Sequence, residues 1–329
     1  MLDLRRRQFI TLLGGAAVAW PLAAHAQQPA IPRIGWLNAG SREGYGASAD
    51  LFSQQLKGAG YIEGQNVAIE YRFANNQYER LPELLADLMQ RRSAVIVANT
   101  TPAARAAKVA TSTIPIVFAI AGDPLKLGLV ASLRQPGGNR TGVSFLVSEL
   151  VPKRLEVLRE AVPLATLIGF LVNPSNPNTA NETREVRAAA ESLRQELVII
   201  DASSDTELEL AFISLVHRQI GALLVASDPF FNSRRKHLIA LSSRHSIPTM
   251  YSWREFPVVG GLMSYGNSIE DGHRQVAHYV ARILRGEKVS DLPVVQSTKV
   301  ELVINLTSAK ALGVTFPHTL LGRADEVIE

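Results

Sequence analysis

The 329-residue sequence contains no cysteine. A disulfide framework, a thiolate metal site and a cysteine nucleophile are therefore all excluded. We also expect no diacylglyceryl anchor, because that modification needs a cysteine at the mature N-terminus.

An excess of charge of one sign is also missing. The sequence has 34 basic and 30 acidic residues, and three of the arginines lie within the first 26 residues. No clustered basic face is visible, so no nucleic-acid partner is expected. Apolar residues make up 47% of the chain, as in ordinary globular proteins. The length exceeds what one hydrophobic core usually serves, which predicts two lobes.

Common enzyme motifs are not found. The chain lacks G-x-G-x-x-G, G-x-x-x-x-G-K-[ST], H-E-x-x-H and G-x-S-x-G. His273 and His278 are five residues apart on a predicted helix, a spacing that does not suit a metal pair. We expect no cofactor and no metal. Asp123 and Asp228 leave open a catalytic carboxylate pair, although no activated nucleophile accompanies them.

The first 26 residues have the pattern of an export signal. Arg5, Arg6 and Arg7 precede an apolar stretch, residues 9–24, which is too short for a comfortable membrane span. Ala24 and Ala26 supply the small residues of a peptidase site, so the mature chain is predicted to begin at Gln27. Two arginines followed by Gln8 and Phe9 resemble a twin-arginine signal, and a Sec signal is the alternative.

The mature chain alternates short apolar strands with helix-patterned segments. In the first half we predict strands at 34–37, 67–71, 94–98 and 116–119, and helices at 80–91 and 103–110. The pattern restarts after residue 142, with helices at 151–161, 179–195, 205–217, 233–244 and 271–285 and strands at 167–172, 197–200, 222–225, 249–251 and 300–304. This alternation predicts two α/β units with doubly wound parallel sheets.

The strand exits are short and polar. They include Asn38-Ala39-Gly40-Ser41, Asn99-Thr100-Thr101-Pro102, Ser227-Asp228-Pro229 and Tyr251-Ser252-Trp253. Ligands of open parallel sheets bind beyond the carboxyl ends of the strands, where such exits meet. Helix capping alone is an alternative explanation, since the same residue types cap helices.

Several strings of the chain resemble the substrate-binding proteins of ABC importers, tryptophan/tyrosine-uptake type. The strings are GYIEGQNV at 60–67, PGGNRTGVS at 136–144, NPSNP at 173–177, GGLMSYG at 260–266 and ADEVIE at 324–329. The resemblance implies a type I periplasmic-binding fold, with two Rossmann-like lobes joined by three crossover strands. It places one lobe at 31–143 and 266–295 and the other at 144–265 and 296–329, with crossovers near 142–145, 265–268 and 295–298.

By matching to the family, the exits after the third and fourth strands assign Thr101 and Asp123 to the ligand, and the second lobe contributes Asn173, Ser175 and Asp228. With the other exits and crossovers, the candidate ligand-binding residues are Asn38, Ser41, Thr101, Asp123, Ser144, Asn173, Ser175, Asp228, Tyr251 and Tyr265. We expect Asp123 and Asp228 to face each other across the cleft, and at least one of them to meet a ligand cation. The prolines at 174 and 177 depart from the family's serine-rich exit and remove backbone donors, which weighs against an identical amino-acid ligand.

The resemblance implies a non-catalytic, monomeric protein that is soluble in the periplasm and carries a small molecule to an inner-membrane permease and its ATPase. The ligand class is an amino acid or an aromatic or carboxylate-bearing compound. A periplasmic sensor for a signalling partner and an exported α/β enzyme remain alternatives.

Overall fold

A computed structural model describes residues 31–329. The predicted export signal, residues 1–26, lies outside the described residues. The strands are β1 Arg33–Asn38, β2 Ala68–Phe73, β3 Val95–Asn99, β4 Ile116–Ile120, β5 Arg140–Ser144, β6 Leu167–Val172, β7 Glu196–Asp201, β8 Ala222–Val225, β9 Thr249–Tyr251, β10 Met263–Asn267, β11 Val295–Gln296, β12 Val300–Asn305 and β13 Glu326–Ile328.

The helices are α1 Arg42–Gly58, α2 Leu81–Gln90, α3 Thr101–Ala110, α4 Val151–Ala161, α5 Thr179–Ser192, α6 Asp205–His217, α7 Pro229–Ser233, α8 Arg235–Arg244, α9 Glu255–Val258, α10 Ile269–Leu284, α11 Leu306–Ala311 and α12 His318–Leu321. None of the helices in residues 31–329 combines the length and the apolar character needed to cross a membrane.

Two sheets organise the molecule. The first has the order β2-β1-β3-β4-β5-β11, and all of its neighbours are parallel. The second has the order β7-β6-β8-β9-β10-β12-β13, in which only the β10–β12 pair is antiparallel. We call the first sheet with its helices lobe 1, and the second sheet with its helices lobe 2. The predicted α/β fold with two parallel-dominated sheets is confirmed.

Helices cover both faces of the lobe 1 sheet, and alternate residues of its central strand pack against each layer. In lobe 1, Ile96 and Ala98 of β3 join the core under α2 and α3, whereas Val95 and Val97 join the core under α1 and α10. Successive side chains of a strand point to opposite faces, so a strand buried on both faces is apolar throughout. The run at 94–98 therefore identified a central strand.

Three connections carry the chain between the sheets. They lie between β5 and α4, between β10 and α10, and between β11 and β12. Within β5, two residues before the first of them, Gly142 has φ +153°, and a Cβ on it would lie 2.1 Å from the carbonyl oxygen of Phe118. Only glycine permits β5 to approach β4 this closely.

The predicted helix at 233–244 is wrong at its beginning. The structure has the short helix α7 first, and α8 starts at Arg235. Asp228 caps α7 through its side chain, which accepts a hydrogen bond from the N–H of Phe230, and Pro229 occupies the first turn. An aspartate followed by proline is a typical helix start, which the apolar pattern alone had missed.

Candidate ligand-binding cleft

Two connected cavities lie between the lobes. The inner cavity has a volume of about 50 Å³ and is lined by both lobes, including Asn99, Thr101, Phe145, Asn176, Asn178, Ser227, Asp228, Trp253 and His273. The outer cavity has a volume of about 430 Å³ and is lined mainly by α1, α9 and the start of α10. Five residues line both cavities, namely Tyr45, Ser48, Asn232, Trp253 and Ile269. The inner cavity thus continues into the outer one.

The lobe 1 wall of the inner cavity is formed by the exit of β3. The amide of Asn38 donates to the carbonyl of Asn99 at 2.7 Å, which ties the ends of β1 and β3 together. Thr100 has φ +150°, outside the regions that a β-branched residue normally occupies. Such a backbone costs on the order of 1–3 kcal/mol and persists only where its surroundings enforce it. The turn sets Asn99 and Thr101 along the cavity.

The lobe 2 wall is centred on Asp228, which is 2% exposed. Its Oδ2 accepts hydrogen bonds from the Tyr78 hydroxyl at 2.8 Å and the Asn176 amide at 2.7 Å. Its Oδ1 accepts from the Asn173 amide at 3.1 Å and the backbone N–H of Phe230 at 2.8 Å. Burial raises the pKa of Asp228, against the lowering effect of these four donors. The carboxylate is held by the protein on both of its oxygens.

Aromatic rings close one end of the inner cavity. Phe145 and Trp253 meet edge to face, with their ring centroids 5.5 Å apart. Gly272 makes room for this pair, since a Cβ there would lie 2.1 Å from the Phe145 ring. His273 places Nδ1 3.0 Å from the carbonyl of Ile269, so Nδ1 carries the proton and donates. Burial lowers the pKa of His273, which favours the neutral ring with a lone pair on Nε2.

Three polar atoms of this cavity have no hydrogen-bond partner within the protein. They are Nδ2 of Asn99, Nε1 of Trp253 and Nε2 of His273. All three side chains are more than nine-tenths buried. Buried polar groups are almost always paired, so three unpaired atoms on the lining residues of one cavity call for an explanation, and a bound ligand is one.

A buried ionic group supports the Ser227 exit from behind. Glu182 accepts a hydrogen bond from the Ser148 hydroxyl at 2.5 Å and another from the backbone N–H of Ser227 at 3.4 Å. Burial raises the pKa of Glu182 to about 7, partly offset by the charge of Arg154. The guanidinium of Arg154 is fully buried and donates to the carbonyl of Val147 at 2.8 Å.

Direct hydrogen bonds join the lobes around the cavities. The most buried of them runs from the amide of Asn178 to the hydroxyl of Thr101 at 3.1 Å. The others join Tyr78 to Asp228, Asn232 to the Tyr45 hydroxyl, the N–H of Ser41 to the Ser233 hydroxyl, and Arg235 to the carbonyl of Gly44. The lobes are therefore in contact across the cleft.

Of the ten candidate residues, Thr101 and Asp228 line the inner cavity. The others line neither of the two cavities, and most serve local structure. Asn38 bonds the exits of β1 and β3, Ser41 caps α1, Ser144 donates to the carbonyl of Gly122, and Asn173 bonds Asp228. Ser175 is exposed, Tyr251 stacks on Phe256 at 4.3 Å, and Tyr265 packs against the core of lobe 2.

The expected arrangement of Asp123 opposite Asp228 needs correction. Asp123 accepts a hydrogen bond from the N–H of Leu125 at 2.7 Å and lines neither cavity. The carboxylate therefore turns back on its own loop, as Asp side chains often do when they bond the N–H two residues ahead. Asp228 alone remains at the cavity.

The most informative lining residues were not among the candidates. Asn99 and Trp253 lie within strand exits that the sequence had singled out, each two residues from a candidate, Thr101 and Tyr251 respectively. Phe145 and His273 lie near the predicted crossovers. The sequence could have pointed to these residues by their place in the chain, but it does not show in which direction each side chain points.

Known proteins resemble this chain over most of its length. A family model described as ABC transporter substrate binding protein matches residues 41–328. A tyrosine-binding protein of Clostridioides difficile (strain R20291) is 30% identical over 261 residues, which cover 79% of this chain and 75% of that protein.

Two solved structures extend the comparison. An ABC domain from Streptococcus pneumonia in complex with L-Trp is 25% identical, with a TM-score of 0.79 over 90% of this chain and 99% of that one. The ligand-free, open structure of a substrate binding protein with adhesive properties from Clostridium difficile is 27% identical, with a TM-score of 0.62 over 91% of this chain and 99% of that one. Together, the family match across both lobes and the two-lobed fold show that the chain belongs to the ABC transporter substrate-binding protein family.

Proposed function

We propose that this chain captures a small molecule in the two interlobe cavities and delivers it to the permease and ATPase of an ABC importer. The observation that carries the proposal is the inner cavity, which both lobes line with unpartnered polar atoms at the carboxyl ends of parallel strands. The similar proteins named for tyrosine or solved with L-Trp support an aromatic or carboxylate-bearing ligand.

Capture works by closure of the lobes about the three connections. The moving bodies are residues 31–143 with 266–295, and residues 144–265 with 296–329. A ligand that touches both lobes binds the closed form better than the open one and so shifts the equilibrium toward closure. The higher TM-score with the L-Trp complex than with the open relative, at similar identity, supports a closed arrangement here.

The protein acts as a monomer in the periplasm, without catalysis or cofactor, after export through its first 26 residues. Replacing both Arg6 and Arg7 by lysine should block export by the twin-arginine route. Mature protein should begin at Gln27 and fractionate without lipid. Unchanged export of the double variant would assign the chain to the Sec route, and an intact Met1 in the periplasmic fraction would contradict the signal.

Native mass spectrometry of the chain purified from its own periplasm tests capture directly. We expect a small molecule to travel with the wild-type protein. Ala121 lines the inner cavity, so Ala121→Trp should fill the cavity and abolish co-purification. Val109 is 88% exposed on α3, so Val109→Trp is the matched control and should retain the molecule. Equal retention by both variants would place the ligand elsewhere and refute the cleft.

A further inference from the structure

The unpartnered atoms of the inner cavity are mostly donors. Asn99 Nδ2 and Trp253 Nε1 can only donate, and His273 Nε2 accepts because Nδ1 holds the proton. Leaving a buried donor without an acceptor costs on the order of 1–3 kcal/mol. A ligand that brings oxygen acceptors to Asn99 and Trp253 recovers this cost. A carboxylate supplies two such acceptor oxygens.

A ligand ammonium finds no free anion at the same place. Among the described residues, Asp228 is the one carboxylate that lines the inner cavity. A carboxylate offers about four acceptor positions, and those of Asp228 are taken by Tyr78, Asn173, Asn176 and the N–H of Phe230. An ammonium would have to displace one of these donors. Desolvating a cation without an anionic partner is costly.

The two cavities differ in size, so each suits a different part of the ligand. A single water needs a cavity of roughly 10–15 Å³. The inner cavity, with a volume of about 50 Å³, therefore suits a group the size of a carboxylate rather than an aromatic ring. The outer cavity of about 430 Å³ has apolar lining from Leu51, Phe256, Val258 and Val259 besides the shared Tyr45 and Trp253 rings. A ring-sized hydrophobic body fits there.

The outer cavity also holds charged side chains, and most of them are engaged. Arg254 pairs with Glu326 at 2.5 Å, and Glu270 pairs with Arg274 at 3.2 Å. Arg235 donates to the carbonyls of Gly44 and Asn232. Glu255 has a buried Oε2 without a partner, and burial raises the pKa of Glu255 toward the neutral form. Glu255 does not line the inner cavity, so it does not supply an anion beside the carboxylate position.

Resting on the function proposed above, we propose that the ligand is an aryl-substituted hydroxy carboxylic acid rather than an α-amino acid. Its carboxylate binds Asn99 and Trp253 in the inner cavity, its hydroxyl donates to His273, and its ring lies in the outer cavity. The site then discriminates against amino acids because no anion is available there to pair with their ammonium group.

Matched acid pairs test the ligand class by calorimetry on the mature wild-type chain. The pairs are phenyllactate with phenylalanine, indole-3-lactate with tryptophan, and 4-hydroxyphenyllactate with tyrosine. Each pair differs only in the hydroxyl or ammonium on the carbon next to the carboxylate. We expect at least one hydroxy acid to bind 10-fold or more tightly than its amino acid. Tighter binding of the amino acids, or binding of neither member of any pair, would overturn the proposal.

Variants test the assigned contacts. Trp253→Phe keeps the ring but removes the N–H, and should weaken the hydroxy acid about 10-fold. Asn99→Asp should weaken it further and bring the amino acid of the pair closer in affinity, because it replaces a donor by an anion. Trp36→Phe is the matched control, since its Nε1 is also buried without a partner but its ring packs on Tyr71 and Phe73 within lobe 1. Equal affinity in Trp253→Phe and Trp36→Phe would remove Trp253 from the site.

The outcomes separate this inference from the function on which it rests. A co-purified molecule that is not a carboxylic acid, lost in Ala121→Trp, would leave capture in the cleft standing and overturn the ligand class. Absence of any bound molecule in native mass spectrometry, with retained binding of a hydroxy acid in Ala121→Trp, would refute the cleft itself.

Discussion

The hydrogen bond from Tyr78 to Asp228 should stabilise the closed form of the ligand-free protein. Tyr78 belongs to lobe 1 and Asp228 to lobe 2, and the hydroxyl lies 2.8 Å from Oδ2. Tyr78→Phe removes this donor and leaves the ring in place. In the open form the hydroxyl bonds water instead, so the substitution acts mainly on the closed form.

The magnitude follows from the charge of the acceptor. A hydrogen bond to a charged group contributes about 1.5–3 kcal/mol. A loss of about 2 kcal/mol corresponds to an about 30-fold shift of the open–closed equilibrium toward the open form. A ligand that needs the closed form should then bind up to about 30-fold more weakly.

Spin-label distances can measure this shift, because the chain has no cysteine of its own. Glu83→Cys in lobe 1 and Arg218→Cys in lobe 2 place labels at exposed positions. Tyr71→Phe is the control, since the Tyr71 hydroxyl donates to Glu63 within lobe 1 at 3.1 Å. We expect the distance distribution of Tyr78→Phe to move to the open form and that of Tyr71→Phe to stay. Identical distributions and affinities for both variants would refute an interlobe role for Tyr78.

Three further substitutions test the fold and the site. Gly142→Ala forces a Cβ against the carbonyl of Phe118 and should cost several kcal/mol of unfolding free energy, whereas Gly58→Ala, in open space within α1, should be neutral or stabilising in thermal melts. Glu182 has a folded pKa raised to about 7, so the folded state retains a proton that the unfolded state releases above about 4.5. Its contribution to stability should therefore fall by about 3 kcal/mol as pH rises from 4.5 to 7, and Glu182→Gln should remove that slope in urea titrations at several pH values. A parallel pH profile in the variant would contradict the raised pKa. Asp123→Asn should change neither ligand affinity nor, beyond about 0.5 kcal/mol, stability, because Asn caps as well as Asp. A 10-fold loss of affinity would return Asp123 to the site.

Local patterns determined most of the secondary structure. The helices at 151–161 and 205–217 and the strands at 167–172 and 222–225 have the predicted bounds. In these segments the apolar period of 3.6 or the continuous apolar run is complete within one element. The strand β13 was missed because it is an edge strand with one partner and contains no buried residue. The equally short strand β9 was predicted, since it lies between two strands and is buried throughout.

The sequence also located the site to within a few residues, but the side chains that form it were decided by tertiary structure. The lining residues lie at the end of a strand, in the loop or first two turns of the helix that follows, or beside a crossover, where parallel sheets bring ligands. Whether Asn99 or Asn38 faces the cavity depends on the turn at Thr100, and whether Asp228 is free depends on Tyr78, which lies 150 residues away in the other lobe. Periodicity reports burial along one element, whereas hydrogen-bond saturation depends on groups that only the folded chain brings together. The carboxylate that looked like a cation site in the sequence is, for this reason, already occupied by the protein's own donors.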